Sequence, residues 1–303
     1  MDVKAALAAV GCAEFTVVSA LSKNWHGDGH WLVRDPDGGD RFSLRAVPFG
    51  REIRWEETRR YDVSVLSAQL DAAAAFTAAG LPFMVQAREP AVVDTSLVAM
   101  FGWLDGVVAA GATPERAFAA GALLARIHEL DLPVDERLPE HDVVGAAERS
   151  LQELGAIADA EFVEMAREMI DGVRSSPARR KLVVHGDCNL PNILWSGDSV
   201  AGIVDFDQIG VSDPVEELAW VTKWWSRPRG IADLTHNPAL AREVLAGYGD
   251  DRVDRDVLAA VMWLAGCLNA NSVLHMLYAS ADARPAVLAG LRARADALFA
   301  LVY

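Results

Sequence analysis

Three polar side chains between Leu182 and Asp207 stand at a spacing that can do chemistry. They are Asp187 in His185-Gly186-Asp187, Asn192 five positions later, and Asp205 eighteen positions after Asp187. A carboxylate such as Asp187 can accept a proton from a hydroxyl, while an amide and a second carboxylate can offer the hard oxygens that Mg2+ prefers. Val183 and Val184 lead into the stretch, Ser196-Gly197-Asp198 reads as a turn, and Val200 to Val204 reads as a return strand. The segment is therefore expected to be a loop followed by a short hairpin that returns Asp205 beside Asp187 and Asn192. Each part has a plainer reading. Asp187 can bond its own backbone in a turn, and Asp205-Phe206-Asp207 can be a strand end. Their combination at this spacing points to chemistry.

The stretch resembles the catalytic loop and metal-binding motif of the aminoglycoside phosphotransferase family, which shares the protein-kinase-like fold. That family's pattern is His-Gly-Asp, four variable residues, Asn, then a strand ending in Asp followed by Phe or Trp. The resemblance spans nearly the whole chain, strongest from Leu182 to Ala219 and loose in the first hundred residues. It implies an α+β, bilobal architecture: a small N-lobe with a five-stranded antiparallel sheet, and a mainly helical C-lobe. Its boundaries would be a nucleotide-binding lobe at 1–101, a hinge at 102–106 and a helical lobe at 107–303 with the catalytic loop and acceptor site.

Position by position, the resemblance assigns further roles. Ser22 to Gly29 would be the loop covering the nucleotide phosphates, with Gly27 and Gly29 allowing close approach, although no Gly-Lys-Ser/Thr follows as in a P-loop and an ordinary hairpin loop fits too. Arg45 stands where the family has a phosphate-contacting lysine. It keeps the charge but brings a forked geometry, and an exposed strand arginine is the alternative. Gln69 stands where a glutamate would pair with that lysine. Asp71, Glu56 or Glu57 would then take the role, or none would. Phe101-Gly102-Trp103-Leu104-Asp105-Gly106 matches the hinge, whose backbone would read a purine edge with Phe101 or Trp103 covering it, unless both aromatics are core. His128 reads as a packing histidine, Asp213 as a helix cap and Glu217 as an anchor for the catalytic loop. Asp207, Glu216, Trp224, Asp250 and Asp251 fall where acceptor contacts are expected, with Trp225 and Asp254 nearby.

Composition sets the outer limits. A chain of 303 residues with 52% hydrophobic and 23% charged content is globular and long enough to bury a large core in two lobes. Its longest apolar run, Val257 to Leu268, is short for a membrane span, and no N-terminal stretch has the form of a signal peptide. Three scattered cysteines suit neither a disulfide framework nor a zinc site, so a reduced, cytoplasmic protein is expected. A net charge of −15 argues against nucleic acid or an anionic membrane as partner. Solubility explains that charge, or part of it lines a pocket for a cationic substrate.

The remaining elements expected are a helix at Val3 to Val10 and strands at Glu14 to Ala20, His30 to Arg34, Arg41 to Val47, Met84 to Gln86 and Ser96 to Met100. Helices are expected at Val63 to Ala79, from Pro114 to His128, at Val144 to Ile157 and Ala160 to Val173, and as long runs from Asp254 to Ala279 and Pro285 to Val302. The function implied is transfer of the γ-phosphoryl group of ATP or GTP, with Mg2+, to a hydroxyl of a small molecule, foremost a cationic antibiotic. A metabolite kinase acting on a small alcohol, amino alcohol or sugar is the alternative. A nucleotide-binding pseudoenzyme is a third reading.

Overall fold

The structure is a computed structural model that describes every residue except 22–27, 54–55, 156, 178 and 231–234. The first part of the chain is strand-rich. Helix α1 (Val3–Ala9) starts at Asp2, whose carboxylate caps the Lys4 amide. Strands β1 (Thr16–Ala20), β2 (Gly29–Arg34) and β3 (Arg41–Pro48) follow, then a short hairpin of β4 (Glu52–Ile53) and β5 (Glu56–Arg60). Helix α2 (Val63–Ala78) is capped by Asp62, which accepts from Val65 N at 2.9 Å. Strands β6 (Gln86–Val93) and β7 (Ser96–Gly102) complete a five-stranded antiparallel sheet of order β1-β2-β3-β7-β6.

Leu7, Phe15, Val33, Leu44, Val98 and Met100 form a core between α1 and this sheet. Each such side chain taken fully out of water contributes roughly 1.5–3 kcal/mol. The fifth strand lies later than the expected Met84 to Gln86. Its apolar pattern is broken by Glu89-Pro90, and the pairing slips between Arg88 and Ala91, where a proline is tolerated. Residues 82–85 do other work: Ile203 N donates to Pro82 O at 2.7 Å and Met84 N to Ile203 O at 3.1 Å, which ties the sheet to the later hairpin.

The rest of the chain is mainly helical. After β8 (Val107–Val108) come α3 (Pro114–Glu129), β9 (Glu140–His141), α4 (Val143–Leu154) and α5 (Ala160–Ser175). The motif-bearing stretch supplies β10 (Leu182–Val184), β11 (Ile193–Ser196), β12 (Ser199–Ile203) and β13 (Gly210–Ser212). Helices α6 (Pro214–Trp225), α7 (Pro238–Tyr248), α8 (Arg255–Cys267), α9 (Ala270–Tyr278) and α10 (Arg284–Phe299) close the fold. The single helix expected from Asp254 to Ala279 is two. It ends at Cys267, and the Asn269 amide turns back onto Ala265 O at 3.1 Å, a local bond that competes with helix continuation. Two small sheets, β10-β13-β9 and β12-β11-β8, frame the motif-bearing stretch. Among the described residues no helix is long and apolar enough to cross a membrane, and all three cysteines are buried and unpaired.

Candidate active site

Strand β10 is buried along its length and delivers His185, Gly186 and Asp187 to the end of a small sheet. Gly186 has φ +79°, and a Cβ there would sit 2.1 Å from Gln208 O, so only glycine fits this corner. Its amide donates to Glu217 Oε1 at 2.7 Å. The other Glu217 oxygen pairs with His128 Nε2 at 2.8 Å, and His128 Nδ1 meets the Tyr248 hydroxyl at 2.9 Å. Burial alone would raise the Glu217 carboxyl, but His128, His185 and the Gly186 amide outweigh it and hold it below its ordinary value. His128 and Glu217 thus brace the loop from below.

Asp187 is buried and richly bonded. Its Oδ1 accepts from Trp220 Nε1 at 2.9 Å and Asn189 Nδ2 at 3.0 Å, and its Oδ2 from Asn192 Nδ2 at 3.1 Å. Asn192 Nδ2 also reaches the Asp187 carbonyl at 2.9 Å. With its nitrogen so engaged, Asn192 has its side-chain oxygen left as a ligand.

The hairpin of β11 and β12 pairs Ile193 with Ile203 and presents Asp205 just past its end, at φ +76°, a left-handed backbone that costs a non-glycine residue energy. Its carboxylate meets Arg45 Nη1 at 2.5 Å. Arg45 Nη2 reaches Asp28 at 3.0 Å and Asp207 at 3.6 Å. Arg51 joins the same group, at 3.1 Å from Asp28 and 2.6 Å from Asp207, with its guanidinium 4.4 Å from the Tyr61 ring centroid.

Two arginines are therefore buried among three aspartates. Burial opposes the charge on Arg45, but Asp205, Asp207 and Asp28 reverse that and raise its pKa above the ordinary value. Burial and the neighbouring Asp207 push the Asp205 carboxyl up, against Arg45. Burial acts the same way on Asp207, yet Arg45 and Arg51 overcome it and hold Asp207 below the usual carboxylate range.

Among the described residues, the carboxylates that pair with Arg45 are Asp28, Asp205 and Asp207. Gln69 forms no ion pair. Its amide donates to Asp207 O at 3.0 Å and Ile209 O at 2.8 Å, holding the segment after Asp205. Asp71 pairs with Arg137 at 3.1 Å on the surface. The side chains of Glu56 and Glu57 lie outside the described residues. Asp28, 2% exposed, takes the partner role. Sequence reasoning missed it, although it sits inside the loop already marked for phosphate contact. Its signal was an aspartate between the two glycines Gly27 and Gly29.

Arg45, Asn192 and Asp205 share one cleft of about 390 Å³ with Phe101, Trp103 and Leu194. His30 also lines it, bonded to Ser43 Oγ at 2.7 Å and pushed down to about 4 by burial and then by Arg45, so its ring is neutral near pH 7. Phe101 is core, 1% exposed and 5.5 Å from the Phe206 ring, though it borders the cleft. Trp103 stands beside Arg41, 5.4 Å from its guanidinium. The Gly102 and Trp103 amides donate to Val85 O at 2.9 Å and Arg41 O at 3.1 Å, so these two N–H groups are committed within the fold. Gly29 packs under the Trp31 ring, 2.0 Å from where a Cβ would lie, and Gly27 falls outside the described residues.

The expected acceptor residues all have partners within the fold, except Asp251, for which no hydrogen bond or ion pair is described. Asp207 is taken by Arg45 and Arg51. Glu216 bonds Val143 N at 2.8 Å and Arg179 at 2.8 Å, bracing α4, and burial pushes its carboxyl up to about 8. Asp250 pairs with Arg255 at 3.0 Å and Asp254 caps α8 through Val257 N at 3.2 Å. Asp250 and Asp251 form a single 3-10 turn, and the bonds around it run to helix ends. Trp224 stacks on Arg227 at 4.2 Å, and Trp225 is core with Nε1 on Cys188 O at 3.0 Å. The tryptophan that touches Asp187 is Trp220. Its position three residues after Glu217, on the helix face that anchors the loop, was the available signal.

Comparison with known proteins gives a consistent answer. A family model described as the phosphotransferase enzyme family matches residues 17–261. Viomycin phosphotransferase of Streptomyces vinaceus is 38% identical over 60 residues, which are 18% of this chain and 21% of that protein. The match thus spans about a fifth of the curated relative. The crystal structure of spectinomycin phosphotransferase with ADP and spectinomycin superposes with a TM-score of 0.59 at 11% identity, covering 95% of this chain and 92% of that one. The GDP complex of aminoglycoside 2'-phosphotransferase-IIIa gives 0.58 at 12% identity, with 95% and 93% covered. Macrolide 2'-phosphotransferase from Brachybacterium faecium gives 0.55 at 18% identity, with 89% and 90% covered. At these identities the likeness is one of fold.

Proposed function

Because the chain belongs to the phosphotransferase enzyme family, we propose that it transfers the γ-phosphoryl group of ATP or GTP to a hydroxyl of a small-molecule antibiotic. The observation that carries this reading is the triad of Asp187, Asn192 and Asp205, with Asn192 bonded to Asp187 and lining one cleft with Asp205 and Arg45. Asp187 orients the acceptor hydroxyl and takes its proton as the acceptor oxygen bonds to the γ-phosphorus. The bond from that phosphorus to the bridging β–γ oxygen breaks, and the electron pair leaves with the nucleoside diphosphate. Such a transition state is loose, so positioning and charge neutralisation supply most of the rate. Arg45, which lines the same cleft, would meet phosphate oxygens there, and the cleft beside Phe101 and Trp103 has the size for a nucleoside. The reading carries the division into a lobe at 1–101, a hinge at 102–106 and a lobe at 107–303, and a cytoplasmic location where nucleoside triphosphates are at hand.

The donor set suits Mg2+: a carboxylate on Asp205 and a side-chain oxygen on Asn192, both hard, facing the same cleft. These residues would hold the ion, whose chemistry when bound is to neutralise charge on the β- and γ-phosphate oxygens. Asp205→Asn is expected to weaken that hold. With nucleotide present, Mg2+ titrations of the thermal midpoint should show much smaller stabilisation in the variant than in the parent. Overlaid curves would put the metal elsewhere.

The antibiotic reading is supported by a relative named as a viomycin phosphotransferase, matched over about a fifth of its length, and by neighbours of the same fold named as spectinomycin and macrolide phosphotransferases. The reading extends to a cationic antibiotic, and the acidic side chains offered to it would include Asp250 and Asp251, although Glu216, Asp250 and Asp254 also bond within the fold. A metabolite kinase remains the second reading, favoured by the same triad. ADP or GDP release measured across antibiotics and small alcohols separates the two, and silence with every acceptor would leave the pseudoenzyme.

A further inference from the structure

Among the described residues, Asn189, Asn192 and Trp220 donate to the Asp187 carboxylate, and they differ in origin. Asn189 and Asn192 lie two and five residues further along the same loop and move with it. Trp220 comes from α6, and its indole N–H reaches Asp187 Oδ1 at 2.9 Å. We propose that Trp220 is a positioning residue for phosphoryl transfer, whose indole N–H fixes the rotation of the Asp187 carboxylate against the body of the protein. This rests on the phosphotransferase reading and adds to it the element that aims the base.

Several observations converge on the indole. A carboxylate turns about a broad, roughly two-fold torsion, so a loop-borne donor alone leaves its plane free to follow the loop. An indole has few rotatable bonds and donates only, so it can aim a base without taking or giving a proton in the reaction. The ring is itself held. Trp224 meets it edge-on at 5.5 Å, and the Lys223 ammonium lies 5.2 Å from its centroid. On another side it borders a narrow cavity with Val143, Met262 and Leu298.

Helix α6 is in turn locked to the same loop twice more, by Glu217 on Gly186 N at 2.7 Å and by Trp225 on Cys188 O at 3.0 Å. Three side chains of one helix thus grip residues 186, 187 and 188. The outer two take backbone groups. Only the middle one takes the group that does chemistry, and that division marks Trp220 as more than packing.

The test has two independent arms. In the first, the indole N–H resonance of Trp220 is assigned in the 15N-labelled protein and compared with Asp187→Asn. Weakening of this bond, once its acceptor is uncharged, should move it upfield, and this needs neither turnover nor a folded Trp220 variant. In the second, Trp220→Phe keeps the ring face and removes the donor. Nucleoside diphosphate release from Mg-ATP or Mg-GTP, with whichever acceptor supports turnover in the parent, should fall about tenfold or more in kcat, with KM for the Mg-nucleotide within about twofold of the parent. A resonance that stays in place in Asp187→Asn overturns the proposal. So does Trp220→Phe at parental kcat, or a loss confined to KM. If the parent releases no nucleoside diphosphate from Mg-ATP or Mg-GTP with any acceptor, the phosphotransferase reading fails and takes the positioning role with it, while the resonance still reports whether the bond exists.

Discussion

Asp187→Asn is expected to bind Mg-nucleotide nearly as the parent does and to turn over at least about a hundredfold more slowly, the scale of general-base loss. The substitution keeps the volume and one acceptor oxygen, so the bond from Trp220 persists in weakened form and the loop stays folded. What disappears is the ability to take the acceptor proton. Steady-state kinetics with nucleotide binding measured separately checks this. Equal turnover in variant and parent would remove Asp187 from the mechanism. A defect confined to nucleotide affinity would recast it as a support for Asn192, whose amide it accepts at 3.1 Å.

The second large effect is one of stability. Asp28→Ala is expected to cost about 3–5 kcal/mol, the range for removing one partner of a buried ion pair. Arg45 and Arg51 lie 3.0 and 3.1 Å from Asp28; Arg45 is buried with it and Arg51 largely so. Without it, Asp205 and Asp207 are the described carboxylates left to the two guanidinium groups. The consequence extends to the site, because Arg45 would lean harder on Asp205, the carboxylate proposed to hold Mg2+. Denaturant unfolding measures the first part, and weakened Mg-nucleotide binding the second. Asp28→Asn should recover part of the loss, since its amide oxygen can still accept from one arginine. A variant as stable as the parent would mean that the arginines are satisfied without Asp28.

Those two predictions also mark what was legible in the sequence. Asp187, Asn192 and Asp205 could be found because one continuous stretch carries them, and a loop and hairpin are local structures whose geometry follows from spacing. Glu217 could be placed for a similar reason, at the start of a helix opened by Asp213-Pro214. Asp28 could not be paired in advance. Its partners are 17 and 23 residues away along the chain, and only sheet register and the turn after β3 bring them together. Trp220 was passed over for Trp224 because α6 has several tryptophans and only packing decides which one faces the loop. The strand at Gln86–Val93 was hidden by Glu89-Pro90, whose backbone cost is absorbed by a slip in register. The break after Cys267 was hidden by an apolar run that reads as one helix until the Asn269 side chain competes for its last carbonyls.

The central claim is that a phosphoryl group passes from nucleotide to a hydroxyl. Its most direct test is product stoichiometry: the chain incubated with Mg-ATP or Mg-GTP and a panel of hydroxyl-bearing antibiotics and small alcohols, with nucleoside diphosphate and phosphorylated acceptor quantified together. The expected result is one acceptor that gains a single phosphoryl group, mole for mole with the diphosphate released. Diphosphate formed with inorganic phosphate alone, whatever acceptor is offered, would contradict it.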